Sequence, residues 1–174
     1  MFTEERDHCR FSWADLGDIE TGRPHLGPMA PVLVYRLLQY TLRDVLIHEL
    51  NVETANALLF KSGQLAGEHF CRNVLDRNLP FNEFVAQLQE RLKDLKIGIL
   101  RIEEIDFESL DMTLTVAEDL DCSGLPLLDE VVCVYDEGFI SGILKAYSGR
   151  EFHVREVDCW ATGDRVCRFD VKAP

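Results

Sequence analysis

Between Lys96 and Ile97 the apolar pattern of this chain changes period, and that switch limits the folds open to it more than any other feature. Before it, apolar residues recur at three- and four-residue steps, the signature of helices with one buried face. Val32, Leu33, Leu37, Leu38, Leu42, Val45 and Leu46 mark a helix over residues 31–50, with Pro31 suited to its first turn. A second helix spans about Glu53 to Arg77, and a third, from Pro80 to Lys96, carries Phe84, Val85, Leu88, Leu92 and Leu95. After the switch the period is two. Ile97–Ile105 and Leu110–Val116 read as a hairpin through Asp106–Ser109, with Leu110, Met112, Leu114 and Val116 on one face and Asp111, Thr113 and Thr115 on the wet one. Asp129 is the expected N-cap of a fourth helix from about Glu130 to Tyr147, which Gly149 stops. Residues 151–158 and 165–171 then form two strands joined by Ala161–Asp164. Three helices, two strands, a helix and two strands make an α+β fold, an antiparallel sheet packed against helices.

Residues 1–28 hold glycines and prolines among acidic residues and read as an arm, pinned by Phe2, Phe11 and Trp13; residues 29–174 form a single domain. His8 and Cys9 on that arm are incidental, and Cys71, near the apolar face of the second helix, reads as a buried small hydrophobe. Two glycine pairs at four-residue spacing, Gly63 with Gly67 and Gly138 with Gly142, leave bare helix faces for close packing.

Acidic residues number 31 against 18 basic ones, a net charge of −13. That field repels phosphate backbones and anionic lipid, so nucleic acid is an unexpected partner. No apolar run reaches the about 18 residues of a membrane span. The charged opening MFTEERDHCRFSW lacks the apolar core of a signal peptide, so a cytoplasmic location is expected. Thiols stay reduced there, which favours metal over disulfide for clustered cysteines.

Cys133, Cys159 and Cys167, with Glu156, offer four donors from three segments. Such a set suits a tetrahedral zinc if the fold gathers it. A hairpin centred on Gly163 sets Cys159 opposite Cys167, and Cys133 falls in the first turn of the fourth helix, where the macrodipole favours a thiolate. Glu156 and Cys159 are three apart, so they share a face only across a bulge. Cys122 is the rival fourth ligand. Buried metal-free neighbours, a reversible dithiol or a disulfide remain open on spacing alone, since no CxxC pair marks the site.

The run Cys133-Val-Tyr-Asp-Glu-Gly138-Phe139-Ile-Ser-Gly142, followed by Glu156-x-x-Cys159-x-x-x-Gly163-x-x-x-Cys167-x-Phe169, resembles the 4-vinyl reductase domain. The same domain is the sensory module of phenol-responsive, sigma-54-dependent activators. The resemblance implies a fold like the small TRAPP vesicle-tethering subunits and the related ligand-binding domains of nitric-oxide signalling and Golgi transport. It also implies a homodimer paired through its helices. It puts a structural zinc on Cys133, Glu156, Cys159 and Cys167, beside an apolar ligand pocket. Counted back without gaps, the strand positions of that pocket fall on Leu110, Met112, Leu114 and Val154, all apolar. The ATPase and DNA-binding regions of the activators are absent, so a signal would pass to another chain.

Three functions follow as expectations. The first is a homodimeric module that binds a small hydrophobic or aromatic molecule, braced by zinc, and acts on a downstream signalling protein. The second is a reductase or accessory protein for tetrapyrrole vinyl groups. It lacks a G-x-G-x-x-G loop or P-loop, and His25, His48, His69 and His153 form no catalytic pattern, so an enzyme is the poorer reading. The third is an assembly module with no ligand.

Overall fold

The structure, a computed structural model, describes residues 4–173. Its helices are α1 (Ile19–Gly22), α2 (Val32–Glu49), α3 (Val52–Val74), α4 (Phe81–Asp94) and α5 (Val134–Ser148), and its strands β1 (Ile99–Ile105), β2 (Met112–Ala117), β3 (His153–Asp158) and β4 (Cys167–Lys172). The strands form one sheet in the order β1-β2-β4-β3, every neighbouring pair antiparallel. The change of period at Lys96 is thus the real boundary between helices and sheet.

Local chemistry accounts for the helix ends. Asn51 caps α3 by accepting the Thr54 N–H at 2.8 Å, and Gly149 ends α5 in the left-handed region at φ 75°. The start of α5 differs from expectation. The helix begins at Val134, and Asp129 is no N-cap but a left-handed turn residue at φ 56°. The Leu128 N–H donates to the Ala161 carbonyl at 2.8 Å, which ties the preceding segment to the far hairpin.

One face of the sheet packs on α4 and α5, burying Phe84, Leu88, Leu114, Ile143, Phe169 and Val171. The outer face of β2 is drier than its alternation suggests, for Thr115 is buried. β2 is a central strand, and Thr115 lies between Arg101 and Arg168, long side chains on the two neighbouring strands.

The two glycine pairs meet. A Cβ on Gly63 or Gly67 would strike the carbonyl oxygens of Tyr135 or Phe139 in α5; one on Gly138 or Gly142 would strike those of Phe60 or Gln64 in α3. The backbones of α3 and α5 therefore touch along a reciprocal seam, close enough for Cα–H···O contacts. This seam fixes the position of the α5 N-terminus, and with it Cys133.

Helix α2 has no buried residue. Its polar face grips the loop after β2: Arg36 donates to the Leu120 and Ser123 carbonyls at 2.8 and 2.9 Å, and the Tyr35 hydroxyl donates to Asp121 at 2.7 Å. Its other face presents Leu33 (74% exposed), Leu38 (69%) and Leu37 (62%). In the arm, Phe11 stacks edge-on against His69, with centroids 5.0 Å apart, while Trp13 stays partly exposed; Phe2 lies outside the described residues. Among the described residues no helix is long and apolar enough to cross a membrane.

Candidate metal centre and adjoining apolar slot

Four cysteines from four places in the chain converge. The sulfurs of Cys122, Cys133, Cys159 and Cys167 all lie within 4.8 Å of one another, and all four residues are buried. The Cys133 sulfur is 3.9 Å from that of Cys159 and 3.8 Å from that of Cys167; Cys122 and Cys167 approach to 3.0 Å. Sulfurs placed tetrahedrally at about 2.3 Å from one zinc are about 3.8 Å apart, so this donor set fits the ion in number and softness; the two Cys133 distances match that spacing, and the Cys122–Cys167 pair stands closer.

Each sulfur has a local cause. Cys167 opens β4 opposite Val116. On β3, Glu156 pairs with Phe169 and Asp158 with Arg168, so Val157 is squeezed out as a bulge and points to solvent. The bulge turns Glu156 and the following Cys159 to the same interior, and continuing the register sets Cys159 opposite Cys167. Cys133 is the N-cap residue of α5. Cys122 enters from the loop after β2, where Asp119 Oδ1 accepts the Asp121 and Cys122 N–H groups at 2.8 and 3.0 Å.

Glu156 stands beside this cluster. Its Oε2 accepts the Cys133 N–H at 2.9 Å, and its Oε1 is buried without a hydrogen-bond partner among the described residues. Burial pushes its carboxyl up to about 8. Among the sulfurs, contacts led by Cys122 hold the Cys133 and Cys167 thiols well above the ordinary range, while the same contacts and the Ala161 N–H draw Cys159 below it. A metal would replace that shared-proton arrangement with thiolates. Cys71 is buried in the core apart from the cluster, and Cys9 is exposed on the arm.

Against the cluster lies an apolar slot of about 50 Å³ between α4, the sheet and α5. Met112 and Leu114 line it, together with residues such as Phe84, Leu88, Ile140 and Ile143. Leu110, a turn residue at φ 65°, and Val154, on edge strand β3 opposite Val171, lie outside its walls. Two polar residues, Asp119 and Asp136, complete the lining. Burial raises both carboxyls, Asp119 to about 7. Sequence reasoning missed these aspartates and the grip of α2 on the Cys122 loop. The acidic run Glu118-Asp-Leu-Asp-Cys122 is the available signal, and by pattern alone it marks only a break in the strand alternation.

Comparison with known proteins gives a consistent picture. An uncharacterised protein of Methanocaldococcus jannaschii is 26% identical over 161 residues, 91% of this chain and 86% of its own length. A second from that organism is 29% identical over 98 residues, 56% of this chain and 58% of its own. The phenol-responsive sensory domain of the transcription activator PoxR, solved with phenol, superposes with a TM-score of 0.62 at 15% identity, over 84% of this chain and 76% of that one. A vinyl-4-reductase family protein from M. jannaschii gives 0.62 at 16% identity, over 98% and 99%. Subunit 3 of the trafficking protein particle complex from Naegleria fowleri, covalently bound to palmitic acid, gives 0.60 at 15%, over 83% and 97%. At these identities the structural likeness is one of fold. The segment 112–173, which carries all four clustered cysteines, matches the 4-vinyl reductase domain family, as the motif from Cys133 to Phe169 implied.

Proposed function

We propose that this chain is a homodimeric small-molecule-binding module whose apolar slot takes a hydrophobic guest and whose four-thiol cluster holds a structural zinc. The observation that carries the reading is the slot itself, walled by α4, the sheet and α5 and abutting the cluster through Asp119 and Asp136. Apolar, concave sites with a few convergent polar groups are where small ligands bind. The fold accommodates such guests, phenol in the PoxR domain and palmitate in the trafficking subunit. At about 50 Å³ the slot is smaller than the ~150 Å³ that admits benzene, so a ring-sized guest must part α4 from the sheet. That movement is a natural signal to a downstream protein.

Zinc on Cys122, Cys133, Cys159 and Cys167 would tie the loop after β2, the start of α5 and the β3–β4 hairpin into one wall of the slot. Four protein donors close the coordination sphere, which makes the role structural. Glu156 has a claim of its own through its unpartnered Oε1, and replacing Cys122 as a donor is the alternative it represents. The exposed leucines of α2 supply the dimer face, being a contiguous apolar surface of the kind that marks an interface.

Native mass spectrometry of protein purified without added metal tests all three elements. The expected species is a dimer with one zinc per chain and a co-purified or titratable small guest. A metal-free monomer overturns the reading, and a zinc-loaded dimer that takes no apolar compound makes it an assembly module.

A further inference from the structure

The slot has one group that the packing does not explain. Asp136 lines it, and the Oδ2 of Asp136 is buried with no hydrogen-bond partner among the described residues. A first-turn acid on a helix ordinarily serves the dipole from the surface. Glu137, the next residue, already serves the α5 N-terminus and also accepts the Glu156 N–H at 2.8 Å. Asp136 instead faces inward. Carboxyl oxygens of Asp119 and Asp136 lie within 4.8 Å of each other and of the Cys133 sulfur, so the two form one polar end of the slot. Asp119 Oδ1 is committed to two backbone N–H groups, and among the described residues no lysine, arginine or histidine lines the slot. A buried acceptor without a donor is costly unless something supplies one.

The geometry points to a ligand: we infer that Asp136, with Asp119 beside it, receives the hydrogen-bond-donating head of the guest, which is a compact apolar body ending in an ammonium or a hydroxyl. The inference rests on the pocket reading above and names the class of molecule it takes. Of the two heads the ammonium suits the site better. It offers three donors to the carboxyl oxygens that converge here, where a hydroxyl offers one.

Calorimetric titration of the whole chain, as purified, with benzylamine, benzyl alcohol and toluene tests this, because the three share one ring and differ in the head. The expected order is benzylamine, benzyl alcohol, toluene, with benzylamine at least about tenfold tighter than toluene. Asp136→Asn should bring the three within about twofold of each other while toluene affinity stays, which also certifies that the variant is folded. Benzyl alcohol binding best, with the preference lost in the variant, supports the inference with hydroxyl as the head. Equal binding of all three to the native chain overturns it and leaves the pocket standing, as does a preference that survives Asp136→Asn. Failure of all three to bind removes the pocket as well. Should the variant not fold, the ranking on the native chain decides.

Discussion

The Oε2 of Glu156 accepts the backbone N–H of Cys133 at 2.9 Å, joining β3 to the N-cap residue of α5 across 23 positions of sequence. This bond spends one carboxylate oxygen on the helix terminus, where an acceptor is favoured by both the free N–H and the dipole. The second oxygen stays unpartnered beside the sulfurs. Glu156 thus has a structural task whether or not it touches a metal, and Cys122 completes a set of four thiols without it.

That division of labour predicts opposite behaviour for two conservative variants. Cys122→Ser should lose most bound zinc, and Cys159→Ser should lose it entirely and cost several kcal/mol, because metal binding is then part of folding free energy. Glu156→Gln keeps an oxygen to accept the Cys133 N–H and should retain zinc close to one per chain. Atomic-emission metal analysis with thermal melting checks both. A zinc-free Glu156→Gln beside a zinc-replete Cys122→Ser would assign the fourth position to the carboxylate.

The metal-free protein should show an inverted pH dependence. Burial raises the Glu156 carboxyl from 4.5 to about 8, so between those values the folded chain holds a proton that the unfolded chain releases. Stability from this group is complete below about pH 4.5 and is lost as pH rises through about 8. Asp119, raised to about 7, acts in the same sense. Melting of chelator-stripped protein from about pH 5 to 8 should show a falling midpoint, with a shallower fall in Glu156→Gln. Zinc-loaded protein should not follow that fall, because thiolate ligation strengthens with pH. A rising midpoint in the stripped protein would contradict this assignment.

The seam between α3 and α5 leaves no room for a side chain. Gly67→Ala and Gly142→Ala each set a Cβ against a carbonyl of the facing helix, which has no rotamer with which to yield. Each should cost about 3 kcal/mol in denaturant unfolding, against the about 1 kcal/mol that a helical Gly→Ala change ordinarily gains. Unchanged or improved stability would mean that the helices stand farther apart.

How much of this was legible from sequence depends on the range of the interaction. The helices and strands followed from periodicity, since Leu88 and Leu92, or Met112 and Leu114, repeat the geometry of the element that buries them. The need for a bulge between Glu156 and Cys159 followed from strand parity, and the structure places it at Val157. The start of α5 did not follow, because Asp129 is a good cap by residue type, while its φ of 56°, beside a Leu128–Ala161 bond that spans the fold, is not that of an N-cap. Asp136 was equally hidden. Whether a first-turn acid faces water or a slot depends on how α5 sits against β2 and α4, which no local pattern records.

Dimerisation has a direct test on α2. Leu37→Glu places a charge in the exposed apolar face of a helix with no buried residue, so the monomer fold should survive. A charge buried in an interface without a partner weakens association by about a hundredfold or more, and sedimentation equilibrium should report a monomer at micromolar concentration. A persistent dimer moves the interface elsewhere.

The central claim, that four buried thiolates hold one metal ion, is tested most directly by zinc-edge X-ray absorption on the protein as purified. The expected result is one zinc per chain with four sulfur neighbours at about 2.3 Å and no light-atom neighbour. Three sulfurs with one oxygen at about 2.0–2.2 Å would put Glu156 in place of Cys122, and protein without zinc that does not take it up would contradict the claim outright.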